Sequence, residues 1–224
     1  MNFPTVSILN ECAVELVFGR VIELEIHDKV MYWTRRLNEE PFEGMLDILP
    51  AFASVTVFFD PFQVKSGRSQ PTPSGAVAAH LEALLATWDG SCEAVNYNNK
   101  VIEIPIRYHG IDLPDVLNFL NMDIETFVKT HSTPAYRVFM IGFLPGFPYL
   151  GVLPEVLEMP RMQTPRLDVP AGSVAIAGRQ TGIYPHVSPG GWHVIGTTEL
   201  TLFDANQTPP ALLQPGDCVR FIPV

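Results

Sequence analysis

Cysteine is scarce in this 224-residue chain and never clustered. Cys12, Cys92 and Cys218 are odd in number, far apart and in no Cys-x-x-Cys pair. That excludes a disulfide framework and a zinc knuckle, and leaves three small apolar residues suited to a reducing compartment. Long apolar runs are missing too, because nothing approaches the roughly 20 residues of a membrane helix. Residues 1–20 set Glu11 and Glu15 among the apolar positions without a basic start, so no leader is expected and the cytoplasm is the expected compartment. Positive charge is sparse, 14 basic residues against 24 acidic ones, a balance that argues against a nucleic-acid footprint. The common catalytic loops are absent as well. There is no G-x-x-x-x-G-K-[ST], no strand-borne G-x-G-x-x-G, no H-E-x-x-H and no G-x-S-x-G, so phosphate cradles, dinucleotide folds, zincins and hydrolase elbows have no foothold. Histidines and carboxylates do not fall at metal-ligand spacing, and no metal is expected.

What is present is apolar material, 47% of the residues, enough to bury a full core without staples in one large or two modest domains. The first half reads as strands followed by a helix, twice. SILNECAVELVFG, from Ser7 to Gly19, reads as a strand pair, and Ile26, Val30, Trp33 and Leu37 then give a helix one apolar stripe. SVTVFFD, from Ser54 to Asp60, is strand-like, and Ser74 can cap a helix with the stripe Val77, Leu81, Leu84, Leu85 and Trp88. GSCEAVNYNN, from Gly90 to Asn99, is polar and patternless, and places a boundary between domains spanning residues 1–95 and 98–224.

The second half changes character. VIEIPIRY alternates as a strand, Pro114 opens a short helix and Asp123 caps another. From Tyr136 onward the apolar runs are four to eight residues long and bounded by Gly or Pro, as in RVFMIGFL, GSVAIAG, WHVIG and CVRFIPV, which predicts a closed or sandwich-like β domain.

Three stretches could carry chemistry. In GFLPGFPYLGVLP, Pro145 and Pro148 pin a backbone that displays Phe143, Phe147 and Tyr149, either sealing a barrel end or walling a ligand. In PRMQTPRLDVP, Arg161 and Arg166 each follow a proline. Both could grip a carboxylate or phosphate, or pair with Glu155, Glu158 or Asp168. VPAGSVAIAGRQTGIYPHVSPGGW sets Arg179, Gln180, Tyr184, His186 and Trp192 among glycine and proline corners, a concentration of polar groups that favours a site over a plain turn cluster. His131 shares a helix face with Phe127, so it is either a packed core histidine or an acid-base group. His193 should face away from Trp192 and Val194.

GFLPGFPYLGVLP, TPRLDVPAGSVAIAGRQTGIYPHVSPGGWHVIG and LLQPGDCVRF resemble the signature of the allophanate hydrolase subunit 1 family. The likeness runs from about Val101 to Pro223. It implies an α+β protein, a small α/β N-terminal domain followed by a cyclophilin-like β-barrel domain. The family takes in the B components of prokaryotic 5-oxoprolinase and Kip-type inhibitors of a sporulation histidine kinase. The first implies a hydrolase component that works with partner subunits A and C (the family's subunit 2), opening 5-oxo-L-proline to L-glutamate with ATP used by the assembled complex. The alternatives are a kinase inhibitor docking through Phe143, Phe147 and Tyr149, or a component acting on another amide.

On the resemblance, Arg166, Gln180, Tyr184 and His131 are the catalytic candidates. Phe143, Phe147, Tyr149, Arg161, Arg179, His186 and Trp192 are the candidate substrate or partner surface. The sequence departs from the family at His109-Gly110-Ile111, where a glycine-rich loop is usual, and at Gly196-Thr197-Thr198-Glu199, where one basic residue is lost.

Overall fold

Two apolar runs open the chain as an antiparallel hairpin, β1 (Thr5–Asn10) and β2 (Ala13–Val17), with Asn10 Oδ1 accepting from the Cys12 backbone N–H at 2.9 Å in the turn. The structure is a computed structural model; it describes residues 3–65, 67, 71–92 and 101–224, in two compact units of residues 1–96 and 97–224. In the first unit, helix α1 (Leu24–Glu39) buries Val30, Trp33 and Leu37, with His27 at the head of the stripe in place of the expected Ile26. Strands β3 (Met45–Pro50) and β4 (Ser54–Phe59) complete an antiparallel sheet in the order β1-β2-β4-β3. Helix α2 (Pro73–Ala86) starts two positions earlier than Ser74 would allow as a cap. Thr72 Oγ1 accepts from Gly75 N–H at 3.1 Å, and Pro73, with no N–H to satisfy, takes the first turn. Val14, Leu16, Trp33, Val57, Phe59 and Leu81 form the core of this unit.

The second unit begins with β5 (Val101–Ile106), then α3 (Leu113–Leu120) and α4 (Ile124–Ser132). Pro114 lies in the first turn of α3, and Asp123 caps α4 by accepting from Thr126 N–H at 2.9 Å, both as expected. Strands β6 (Tyr136–Ile141), β7 (Pro148–Gly151), β8 (Arg166–Val169), β9 (Ser173–Ala177), β10 (Gln180–Ile183), β11 (Ser188–Gly190), β12 (His193–Thr197) and β13 (Cys218–Pro223) follow. Seven of the nine strands form one sheet in the order β12-β9-β10-β7-β6-β13-β5. Just beyond β5, Arg107 exchanges both backbone hydrogen bonds with Thr197 at 2.9 and 3.0 Å, which joins the two ends of the sheet. The result is a closed barrel. Strands β8 and β11 pair separately as a short ribbon.

The barrel wall is buried on both faces. Tyr136, Val138, Leu150, Val174, Ile176, Ile183 and Phe221 fill the interior, together with Val116 of α3 and Phe127 of α4. Ala175, Ala177 and Val194 point the other way and carry a second cluster of Phe147, Val169, Tyr184 and Trp192. The α+β architecture with a β barrel in its second half is the one the family resemblance implies, and it resolves the closed-or-sandwich alternative that the residue pattern leaves open. Of the proposed boundary Gly90–Asn99, residues 93–99 lie outside the described residues.

Candidate functional site

Small residues on the outer face of the barrel make room for large rings. Gly182 of β10 lies opposite Ala175 of β9 and Tyr149 of β7. A Cβ on Gly182 would stand 2.8 Å from Phe147 Cζ, so the glycine is what lets Phe147 lie flat on the sheet. Phe147 then meets four rings edge to face, Phe143 at 5.6 Å, Tyr149 at 4.9 Å, Tyr184 at 5.1 Å and Trp192 at 5.7 Å between centroids. Offset and edge-on contacts of this kind are the favoured aromatic geometry. The loop after β6 is stitched by Phe147 N–H donating to Leu144 O at 3.0 Å and Gly142 N–H donating to Phe147 O at 3.1 Å. Within it Phe143 adopts a left-handed φ of 68° and remains 60% exposed. That conformation costs a bulky residue about 1–3 kcal/mol, and here it sets the ring at the lip of a cavity.

The cavity holds about 290 Å³ and is lined by Phe143, Phe147, Tyr149, Tyr184 and Trp192 on its aromatic side. Arg161, Met162, Pro165 and the Pro189–Gly191 backbone close the other side. Arg161 lies over the Trp192 ring, its Cζ 5.9 Å from the centroid. Among the described residues no carboxylate comes within ion-pair distance of it. Its backbone is tied on both sides. Pro160 O accepts from His193 Nε2–H at 2.9 Å, and Met162 N–H donates to Gly191 O at 2.9 Å. Burial raises the pKa of the Tyr184 hydroxyl, partly offset by the Trp192 N–H facing its oxygen. Tyr184 is thus a protonated phenol at neutral pH. Burial likewise raises Tyr149.

Six of the eleven residues singled out in the sequence therefore line one cavity: Phe143, Phe147, Tyr149, Arg161, Tyr184 and Trp192. The other five lie elsewhere. Arg166 at the start of β8 donates through both terminal nitrogens to the Asp112 carboxylate, at 2.6 Å from Nη1 to Oδ2, and Asp112 Oδ2 also accepts from Val194 N–H at 2.7 Å. Asp112 is buried, so this clamp ties the ribbon, β12 and the start of α3 together. His131 is fully buried inside the barrel, and burial pushes its pKa down to about 3. The Thr181 hydroxyl donates to Ala175 O at 3.1 Å. It therefore accepts from His131 Nε2 at 3.2 Å, which leaves Nδ1 to accept from Tyr108 Oη–H at 2.8 Å. Gln180 is buried in β10 with no partner for Nε2 among the described residues. Arg179 is exposed, and His186 packs edge-on against Phe203 at 5.9 Å.

Sequence reasoning missed Asp112, and it read His193 as facing away from Trp192 and Val194 without finding its partner. His193 reaches a backbone carbonyl 33 positions away and Asp112 a guanidinium 54 positions away, partnerships that no local pattern marks. Among the described residues no group of three or more His, Cys, Asp or Glu is arranged to hold a metal ion. No helix among them is long and apolar enough to cross a membrane.

Comparison with known proteins places this geometry in context. The chain is 38% identical over 219 residues to the B component of the 5-oxoprolinase of Bacillus subtilis (strain 168), a match covering 96% of this chain and 90% of that protein. It is 40% identical over 225 residues to the B component of the 5-oxoprolinase of Haemophilus influenzae, covering 99% and 97%. Among solved structures, TTHA0988 superposes with a TM-score of 0.79 and 37% identity over 95% of this chain but only 39% of its own, so the present chain spans about two fifths of that polypeptide. The carboxyltransferase domain, subdomain C and D, matches residues 4–213, from the first strand of the N-terminal unit almost to the last strand of the barrel. A match of that extent makes this chain a member of the carboxyltransferase domain, subdomain C and D, family.

Proposed function

We propose that this chain is the B component of an ATP-dependent 5-oxoprolinase that, with the A and C components, opens the lactam of 5-oxo-L-proline to L-glutamate. One observation carries the reading: proteins named as the B component of 5-oxoprolinase in three bacteria match it at 38–40% identity over 96–99% of its length. The outer-wall cavity is the surface offered to the reaction. Its rings suit the apolar edge of a five-membered lactam, and Arg161 supplies positive charge where the substrate brings negative. The sequence has no phosphate loop to cradle a nucleotide, so ATP is assigned to the assembled complex and the isolated chain is expected to be inactive. Such an activity belongs in the cytoplasm, where ATP is available.

Reconstitution tests this directly. The chain, purified alone and together with its A and C partners, is assayed for ATP-dependent release of glutamate from 5-oxo-L-proline. Glutamate is expected only with the full set. If the folded and associated components release none, the enzyme reading fails and kinase inhibition through the same aromatic groove is examined by autophosphorylation.

A further inference from the structure

We infer that Arg161 and Tyr184 make the outer-wall cavity a receptor for a small ring bearing both a carboxylate and a carbonyl, with Arg161 taking the carboxylate and Tyr184 Oη–H the carbonyl oxygen. The assignment rests on reading this cavity as the substrate surface of the proposed enzyme, and it names the chemistry that the surface recognises.

Three observations converge on it. First, the charge of the neighbouring arginine is already committed. Arg166 is spent on Asp112, whereas among the described residues Arg161 has the Trp192 ring beside it and no carboxylate within ion-pair distance. A guanidinium beside a ring and without a carboxylate partner keeps its N–H fork free for a planar, bidentate anion, and a carboxylate fits that fork. Second, Arg161 is presented by a backbone that is already fixed. The hydrogen bonds from His193 to Pro160 O and from Met162 to Gly191 O bracket the residue, so ligand binding need not order the loop. Third, the Tyr184 phenol keeps its proton and opens onto the cavity beside Gly190, with no hydrogen bond from its O–H to a protein acceptor among the described residues. A donor open at the wall of a cavity is available to a ligand oxygen.

The remaining wall sets the ligand's size and its limits. About 290 Å³ lined by Phe143, Phe147, Tyr149 and Trp192 suits a single small ring and offers no partner for a second charge. An open-chain amino acid with a second carboxylate and an ammonium group is disfavoured there. The cavity therefore holds a cyclic amide acid and sheds the chain that ring opening produces.

The probes are 5-oxo-L-proline, its carboxamide and L-glutamate, titrated by calorimetry against the full chain alone and against the chain assembled with its A and C partners. Wild type should bind the acid at least about tenfold more tightly than the carboxamide. Arg161→Met keeps an apolar stem on Trp192 and should bring the acid down to the carboxamide's level while leaving the carboxamide unchanged. Arg161→Lys should restore part of the preference. Tyr184→Phe should weaken acid and carboxamide by a common factor of about 3 to 10, since both carry the ring carbonyl. Equal binding of acid and carboxamide by wild type, no saturable binding of the acid, or undiminished acid binding by Arg161→Met would each overturn the assignment. The enzyme reading is judged separately. Arg161-dependent binding without turnover by the complex sinks that reading and leaves the receptor standing. Turnover with a KM unchanged in Arg161→Met does the reverse.

Discussion

Removing the Arg166 guanidinium leaves the Asp112 carboxylate buried with the Val194 N–H for company. Breaking a buried pair from one side is costly because the surviving charge cannot return to water. Arg166→Ala should therefore lower unfolding free energy by about 3–5 kcal/mol, read from denaturant titration. Arg166→Met combined with Asp112→Asn should recover much of that loss, since the stranded charge is gone. A single Arg166 variant as stable as wild type would show that water reaches Asp112. Gly190 gives a second test on the cavity wall, because a Cβ there would collide with Tyr184 Oη. Gly190→Ala should displace the tyrosine and cost about 1–3 kcal/mol in stability, while Tyr184→Phe with Gly190→Ala costs less because the colliding oxygen is absent. Thermal unfolding of the two variants ranks them. In sequence Arg161 and Arg166 look alike, each directly after a proline, and both read as anion grips or surface pairs. What separates them is Asp112, which the fold brings from the far side of α3, and that distance is why the difference is invisible in the sequence.

Strand β10 shows what a two-faced element does to a sequence pattern. Its four residues are all buried, Thr181 and Ile183 toward the barrel interior, Gln180 and Gly182 toward the outer rings. Alternation between polar and apolar residues vanishes when both faces are covered, so β9 and β10 are legible only as a run with glycine corners. β3 escapes a sequence reading, because Asp47 and Leu49 face solvent together and blur its period. The short helices are legible because their starts are written locally, in Pro114 and Asp123. Helix α4 carries His131 into the barrel as a neutral imidazole, with its pKa pushed from the ordinary 6.5 to about 3 by burial. Between those values the unfolded chain binds a proton that the folded chain refuses. Stability is thus complete above about pH 6.5 and falls as the pH drops through the window, by up to about 1.4 kcal/mol per pH unit for this one group. Denaturant midpoints measured across that window should decline for wild type and decline less steeply for His131→Asn. Parallel slopes would show that the histidine is protonated in the folded state.

At the scale of the molecule, the sequence conveys a strand-and-helix first half and a glycine- and proline-cornered second half, and the two described units have those compositions. It leaves open whether the second half closes or stacks. The answer depends on a long-range seam, the Arg107–Thr197 pairing across roughly 90 positions, continued by Gly110 N–H to Ile195 O and Asp112 N–H to Val194 O, both at 3.1 Å. The pairing also explains Gly196, where a Cβ would stand 2.5 Å from Arg107 O. Gly196→Ala should push the two ends apart and lower the thermal midpoint by several degrees, the scale of a loss of about 1–2 kcal/mol in a domain of this size. Amide exchange at Arg107 and Thr197 should accelerate before exchange elsewhere in the wall does. An unclosed sheet also exposes two rows of unpaired N–H and C=O groups on β5 and β12, each able to template a neighbouring chain. The single seam is therefore a safeguard of solubility, and a variant that loosens it should reveal itself first by concentration-dependent aggregation, before any change in what the cavity binds.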